Sequence, residues 1–232
     1  MIFELRLYHV TRGRMADQNS RITKFLPPLF SRHGVRCVGA WNTLAGPASP
    51  RFAYLMAFDD FAHREQAWAG FYTDPDWARA RSETNAGHEM VERHDLIFLK
   101  PHAISQSLPP DASTRAAALY ELELQQLAPG QTPGATQFLK ETYLPALREN
   151  GGHTAGVFDM VSGPGMQQLV MFHAWADAAA WHRGRSAAER SPAMLEALSQ
   201  QRKLLGSPIF GRSDVSLMEP VQGVPIERKL SS

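Results

Sequence analysis

The chain has one cysteine, Cys37, among 232 residues. A disulfide within the chain is excluded, and so is a metal site built from several thiolates. Charge of one sign is lacking too. Lys and Arg number 24 against 23 Asp and Glu, a formal net charge of +1, so composition offers no electrostatic case for nucleic acid or an anionic membrane as partner. No segment approaches the roughly 18 uninterrupted apolar residues of a membrane-spanning helix. The first residues enter an alternating pattern directly, without the basic region and apolar run of a signal peptide, so a cytoplasmic location is expected. Catalytic signatures are missing as well. There is no Gly-x-Ser-x-Gly elbow. Gly163-Pro164-Gly165 has no phosphate-loop sequence around it. In His88-Glu89-Met90-Val91-Glu92-Arg93-His94 the second His comes six residues after the first, whereas a zinc helix needs it at i+4; no metal is expected.

What is present is a repeat. Phe3-Glu4-Leu5-Arg6-Leu7-Tyr8 returns as Tyr120-Glu121-Leu122-Glu123-Leu124-Gln125, a shift of 117 residues, and Gly13 returns as Gly130. At the same shift Pro28 matches Pro145, Gly34 matches Gly151, Gly39 matches Gly156, Asp60 matches Asp177 and Pro75 matches Pro192. Matching caps, turns and helix faces over about a hundred positions imply a duplicated unit.

Each copy reads strand, helix, strand, strand, helix, strand. Ile2–Val10 alternates with period two, as a strand does. Ile22, Phe25, Leu26, Leu29 and Phe30 form one apolar helical stripe, interrupted by Pro27-Pro28, which should kink or break it, and ended by His33-Gly34. Val35–Thr43 and Phe52–Phe58 are strands joined by a turn at Gly46-Pro47. Asp60 is an N-cap for a helix carrying Ala67, Trp68 and Phe71; Asp74-Pro75 caps the next. Arg93–Lys100 is the fourth strand. The fold class expected is α+β: two ferredoxin-like β-α-β-β-α-β units forming an intramolecular dimeric α/β barrel. The boundaries expected are residues 1–101 for the first repeat, 102–117 for a linker, 118–220 for the second repeat, and 221–232 for a peripheral tail. In this arrangement Phe3, Leu5, Leu7 and Tyr120, Leu122, Leu124 are expected to face the helices. Glu4, Arg6, Tyr8 and Glu121, Glu123, Gln125 are expected on the opposite face.

The first copy resembles the NIPSNAP family of the dimeric α/β-barrel superfamily. The resemblance lies in Phe-Glu-Leu-Arg-Leu-Tyr at 3–8, Gly13, Leu-Phe-Ser-Arg-His-Gly at 29–34, Val-Gly-Ala-Trp at 38–41, Asp59-Asp60 and Asp74-Pro75-Asp76-Trp77. The second copy matches more loosely: Glu123 stands in place of Arg6, Gln125 of Tyr8, Phe158 of Trp41 and Met194 of Trp77. The resemblance implies a fold more strongly than an activity. The wider superfamily includes cofactor-independent monooxygenases, lactone isomerases and haem-degrading enzymes. Relatives that degrade haem use an Asn, a Trp and a His; Trp41 and Asn42 are adjacent here and point to opposite faces of a strand, which weakens that reading.

Two residue sets are candidates for chemistry. Arg6, Tyr8, Trp41 and Tyr54 provide a group for a carboxylate or enolate, a phenol donor and aromatic walls; the alternative is core aromatics with a structural ion pair. Glu4, Glu121, Glu123 and His173 place carboxylates with a histidine that replaces Met56 of the first copy, a pairing suited to general acid–base work; the alternative is a structural network. Arg6, Tyr8 and His173 are the catalytic candidates, and Trp41, Tyr54, Glu4, Glu121 and Glu123 the substrate-binding ones. The function expected is small-molecule binding, with a cofactor-independent oxygenase or isomerase acting on a small aromatic or polyketide-like substrate as its enzymatic form. The alternative is a non-catalytic ligand-binding or assembly protein. No cofactor is expected, and beyond the internal pseudo-dimer a homo-oligomer is compatible.

Overall fold

Alternation in the first strand and tight turns elsewhere translate directly into elements in the computed structural model, which describes residues 1–108, 117–165, 167–227 and 230. Two units are distinguished: residues 1–100 with 218–227, and residues 101–217 with 228–232. Among the described residues, no helix is long and apolar enough to cross a membrane.

In the first unit the strands are β1 (Ile2–Val10), β2 (Arg36–Ala45), β3 (Arg51–Phe58) and β4 (Val91–Pro101), and the helices are α1 (Met15–Ser20), α2 (Leu26–His33), α3 (Phe61–Thr73) and α4 (Pro75–Asn85). The sheet order is β4-β1-β3-β2, with antiparallel pairing of β1 to β3 and to β4 and of β2 to β3. A π-helical turn, Arg21–Phe25, joins α1 to α2. It lies immediately before Pro27 and Pro28, which occupy the first turn of α2. Proline has no N–H for the carbonyl one turn back. The ladder shifts instead, and the Leu26 N–H reaches the Arg21 carbonyl. The expected caps form: Asp60 accepts from the His63 N–H at 2.8 Å, Asp74 accepts from the Asp76 N–H at 2.8 Å, and Gly34 takes φ 71° at the end of α2. Each such cap stabilises its helix by about 1 kcal/mol.

The second unit has β5 (Leu119–Leu127), β6 (His153–Ser162), β7 (Gln168–Trp175) and β8 (Phe210–Pro220), of which 210–217 belong to this unit. Its helices are α5 (Thr132–Phe138), α6 (Leu144–Glu149), α7 (Ala178–Glu189) and α8 (Pro192–Leu205). Its sheet order is β8-β5-β7-β6. A second π-helical turn, Leu139–Tyr143, precedes Pro145. Both bounds of β1, β2 and β3 recur 117 residues later in β5, β6 and β7.

The facing of the first strands differs from expectation. Register pairs Glu4 with Met56, Arg6 with Tyr54 and Tyr8 with Phe52, and Met56, Tyr54 and Phe52 pack with Ile22, Leu26, Phe30 and Trp68 of the helices. Glu4, Arg6 and Tyr8 therefore face the helices, and Phe3, Leu5 and Leu7 lie on the other face, also buried. In the second unit Glu121 and Glu123 face the helices in the same way, opposite His173 and Met171, so Tyr120, Leu122 and Leu124 point away. The reason is that both faces are buried here. Alternation then marks two faces without saying which is covered by helices.

The stretch expected as a linker begins with order. Ala103–Ser107 forms a 3₁₀ turn, and the His102 N–H and the Ser105 hydroxyl both donate to the Val157 carbonyl; residues 109–116 lie outside the described residues. The tail is not peripheral. Val221 and Glu227 donate backbone N–H bonds to the Ala40 and Val38 carbonyls, and Val221 and Ile226 are buried. These bonds satisfy β2 carbonyls, a role that leaves no hydrophobic period to read. Of the tail's last five residues only Leu230 is described; its N–H donates to the Ala155 carbonyl.

Candidate functional site

Arg64, Trp68 and Tyr72 lie four residues apart along α3 and so form one stripe, aimed at the helix-facing side of β1. Glu4 accepts from Arg64 Nε at 2.7 Å, from Trp68 Nε1 at 3.3 Å and from Arg6 Nε at 2.5 Å. The Arg6 guanidinium lies 3.8 Å from the Trp68 ring centroid, a cation–π contact of about 1–2 kcal/mol when desolvated. Its Nη1 donates to the Tyr8 and Tyr72 hydroxyls, each at 3.1 Å, and Tyr54 donates to the Tyr8 hydroxyl at 2.6 Å. Trp68 and Tyr72 stack with centroids 5.6 Å apart.

These groups line a cavity of about 510 Å³ together with Gln18, Arg21, Phe30, Phe71, Trp77 and His94. The volume falls in the range of small-molecule sites. Arg21, set by the π-helical turn, is held by Thr84 Oγ1 at 2.7 Å and Asn85 Oδ1 at 2.6 Å. Burial opposes the charge of Arg6, but Tyr54, Tyr8 and Glu4 outweigh it and raise its pKa. Burial also opposes ionisation of Glu4, yet Arg64 and Arg6 hold its pKa below the usual value. Burial, then Tyr8, pushes the Tyr54 phenol well above its ordinary range. Tyr54 is thus a fixed neutral donor, and Arg6 and Glu4 are both charged at neutral pH.

Of the first candidate set, Arg6, Tyr8 and Tyr54 come together at this cavity. Trp41 does not join them. It pairs with Ala53 in register while its neighbour Ala40 pairs with Tyr54, so it points to the opposite face and lies against Gly39, where an added Cβ would sit 2.6 Å from the ring. The aromatic wall comes instead from Trp68, Tyr72 and Trp77, helix residues outside the candidate sets. The i, i+4, i+8 recurrence of Arg64, Trp68 and Tyr72 was the available signal. His94 lines the cavity from β4, its ring 5.6 Å from that of Tyr8.

The second candidate set divides between the units. Glu4 belongs to the cluster above. Glu121, Glu123 and His173 form a separate buried cluster around Arg185 of α7. Arg185 reaches Glu123 at 2.8 Å and Glu121 at 3.2 Å. Tyr143 donates to Glu123 at 2.5 Å, Trp175 Nε1 donates to Glu121 at 3.0 Å, and His173 Nδ1 meets Thr154 Oγ1 at 3.1 Å. His173 Nε2 is 3.6 Å from Glu123, an ion-pair distance too long for a hydrogen bond. Burial is opposed at Glu123 by His173 and Arg185, which bring its pKa down to about 2. At Glu121 burial wins and the pKa rises. Among the described residues, no group of three His, Cys, Asp or Glu is placed to hold a metal ion.

The NIPSNAP profile matches residues 3–106. The chain carries a NIPSNAP domain. That domain contains the whole lining of the 510 Å³ cavity. Solved structures resemble the chain beyond it. A candidate monooxygenase from Lactobacillus acidophilus shares 10% identity at TM-score 0.59, covering 98% of this chain and 96% of that one. A second, from Fusobacterium nucleatum, shares 8% at TM-score 0.57, covering 98% and 97%. Chlorite dismutase from Candidatus Nitrospira defluvii, in complex with imidazole, shares 7% at TM-score 0.53, covering 95% and 92%. At such identities the likeness is one of fold, a mixed α/β fold with antiparallel sheet. No curated protein matches the chain.

Proposed function

We propose that the NIPSNAP domain binds a small molecule with an aromatic or otherwise flat apolar body in the cavity that Arg6, Tyr8 and Tyr54 line. The observation that carries this is the cavity itself: about 510 Å³, walled by Trp68, Phe71, Tyr72 and Trp77, with one guanidinium held against Trp68 and two phenols beside it. An ion-pair network with a purely structural purpose gains nothing from such a space. Mass spectrometry of the protein under non-denaturing conditions, followed by extraction, tests it. A small molecule bound in stoichiometric amount and lost in Arg6→Ala is the expected result. No adduct, together with no change in tryptophan fluorescence on adding aryl compounds, would remove the reading in favour of a non-catalytic assembly protein.

The Tyr54–Tyr8–Arg6 chain of donors favours an enzymatic form of the same reading. A phenol and a guanidinium converging on one point suit a developing enolate oxygen, the demand of a cofactor-independent oxygenase or isomerase. His173 belongs to the Arg185 cluster and has no part in this step. The remaining proposals come from the sequence: two ferredoxin-like units, with boundaries near 101 and 118, in a protein of the cytoplasm.

A further inference from the structure

The cavity holds three features that the reading above leaves unused. Two nitrogens of its arginines are free. Arg6 uses Nε and Nη1, and Arg21 uses Nε and Nη2; Arg6 Nη2 and Arg21 Nη1 have no hydrogen-bond partner among the described residues. Arg21 moreover rests on two neutral oxygens, and no described carboxylate forms an ion pair with it. Third, Gln18 is 1% exposed, lines the cavity, and its Oε1 lacks a partner among the described residues. Gln18 and Arg21 are three residues apart on the continuous α1–π turn and so lie on one side of it.

Charge around the cavity does not cancel. Among the lining residues three arginines, Arg6, Arg21 and Arg81, stand against two carboxylates, Glu89, which is paired with Arg81, and Glu92 at the rim. One positive charge is in excess, and it sits with the two arginines that have free N–H groups. Buried polar atoms in native proteins are nearly always satisfied. A free amide oxygen and two free guanidinium edges in one cavity therefore describe the missing partner: acceptors carrying one negative charge, plus one donor.

Resting on the ligand-binding reading, we infer that the ligand is an aromatic monoanion. Its carboxylate or enolate takes N–H bonds from Arg6 and Arg21, and a hydroxyl or amino group on its body donates to Gln18 Oε1. Arg21 and Gln18 are the residues that set this specificity; the aromatic walls accept any flat ring.

The test is calorimetric titration of the full chain with four probes: benzoate, 4-hydroxybenzoate, benzamide and 4-hydroxybenzamide. The two carboxylates should bind at least tenfold more tightly than the two amides. Arg21→Gln should reduce carboxylate affinity about tenfold and leave amide affinity unchanged. Gln18→Leu should weaken the hydroxylated members and spare benzoate and benzamide. Equal binding of carboxylates and amides overturns the monoanion assignment and leaves the cavity's role intact. Failure of all four to bind overturns the cavity's role and this inference with it. The four-probe comparison needs no variant, so it stands even if Arg21→Gln does not fold.

Discussion

The two units carry opposite charges at the same strand position. In the first, the strand contributes a cation, Arg6, and the helix an aromatic, Trp68. In the second, 117 residues later, the strand contributes an anion, Glu123, and the helix the cation, Arg185. The consequence is a cavity on one side and a closed ion-pair cluster on the other. Arg185 spans Glu121 and Glu123, and the Tyr143 hydroxyl is bonded to both Arg185 and Glu123. Arg185, Tyr143 and Glu123 are turned on one another, while Glu121 Oε1 and His173 Nε2 lack a hydrogen-bond partner among the described residues. In the first unit Glu4 is bound from three sides, yet Arg6 keeps an edge free toward the cavity. The surrounding positions follow suit. Gln18, Arg21, Tyr54 and Arg81 of the cavity wall become Ala135, Phe138, Met171 and Leu198. The polar lining of the cavity is thus not repeated at the corresponding positions of the second unit.

Breaking the second cluster should have the largest effect. Arg185→Ala leaves Glu121 and Glu123 without their guanidinium, and unfolding in denaturant should show a loss of about 3–5 kcal/mol, the usual result of stripping one partner from a buried pair. The matching change in the first unit should cost less. Arg6→Ala leaves Glu4 with Arg64 and the Trp68 N–H, and the same measurement should show a loss of about 1–3 kcal/mol. Equal losses would mean that the first unit's charges are as structural as the second's. The smallest effect sharpens the contrast by pH. The Glu123 pKa is depressed from 4.5 to about 2, so its contribution to stability is complete above about pH 4.5 and is lost as pH falls toward 2. Across that window Glu123→Gln should lose less unfolding free energy than the parent; identical acid profiles would show that Glu123 is not the group held ionised.

Much of the fold is legible in the sequence. Period-two alternation located β1 and β5, and Asp60, Asp74 and Asp177 announced helix starts because a short oxygen-bearing side chain satisfies N–H groups there. The break at Pro27-Pro28 was legible too, though its form, a π-helical turn that carries Arg21 toward the cavity, was not. Part of the site could also be read: Arg6, Tyr8 and Tyr54 were named and do converge. Trp41 was grouped with them and lies across the sheet, because identity as an aromatic says nothing about parity relative to a neighbouring strand. Trp68, Tyr72, Arg21 and Gln18 went unassigned, since their convergence depends on how α3 and the α1–π turn pack onto β1. Arg185 went unassigned for a related reason: its need for Glu121 and Glu123 exists only once α7 is laid on β5.

The sequence alone determined the spacing of 117 residues, the element order of each unit and the alternation of the paired strands, since these rest on local propensity and on a period that any reader can count. Tertiary structure alone decided which strand face meets the helices. Where both faces are buried, hydrophobicity cannot distinguish them, and the choice falls to whichever face finds partners for its charges. Here Arg64 and Trp68 of α3, and Arg185 of α7, supply those partners, and the polar face turns toward them.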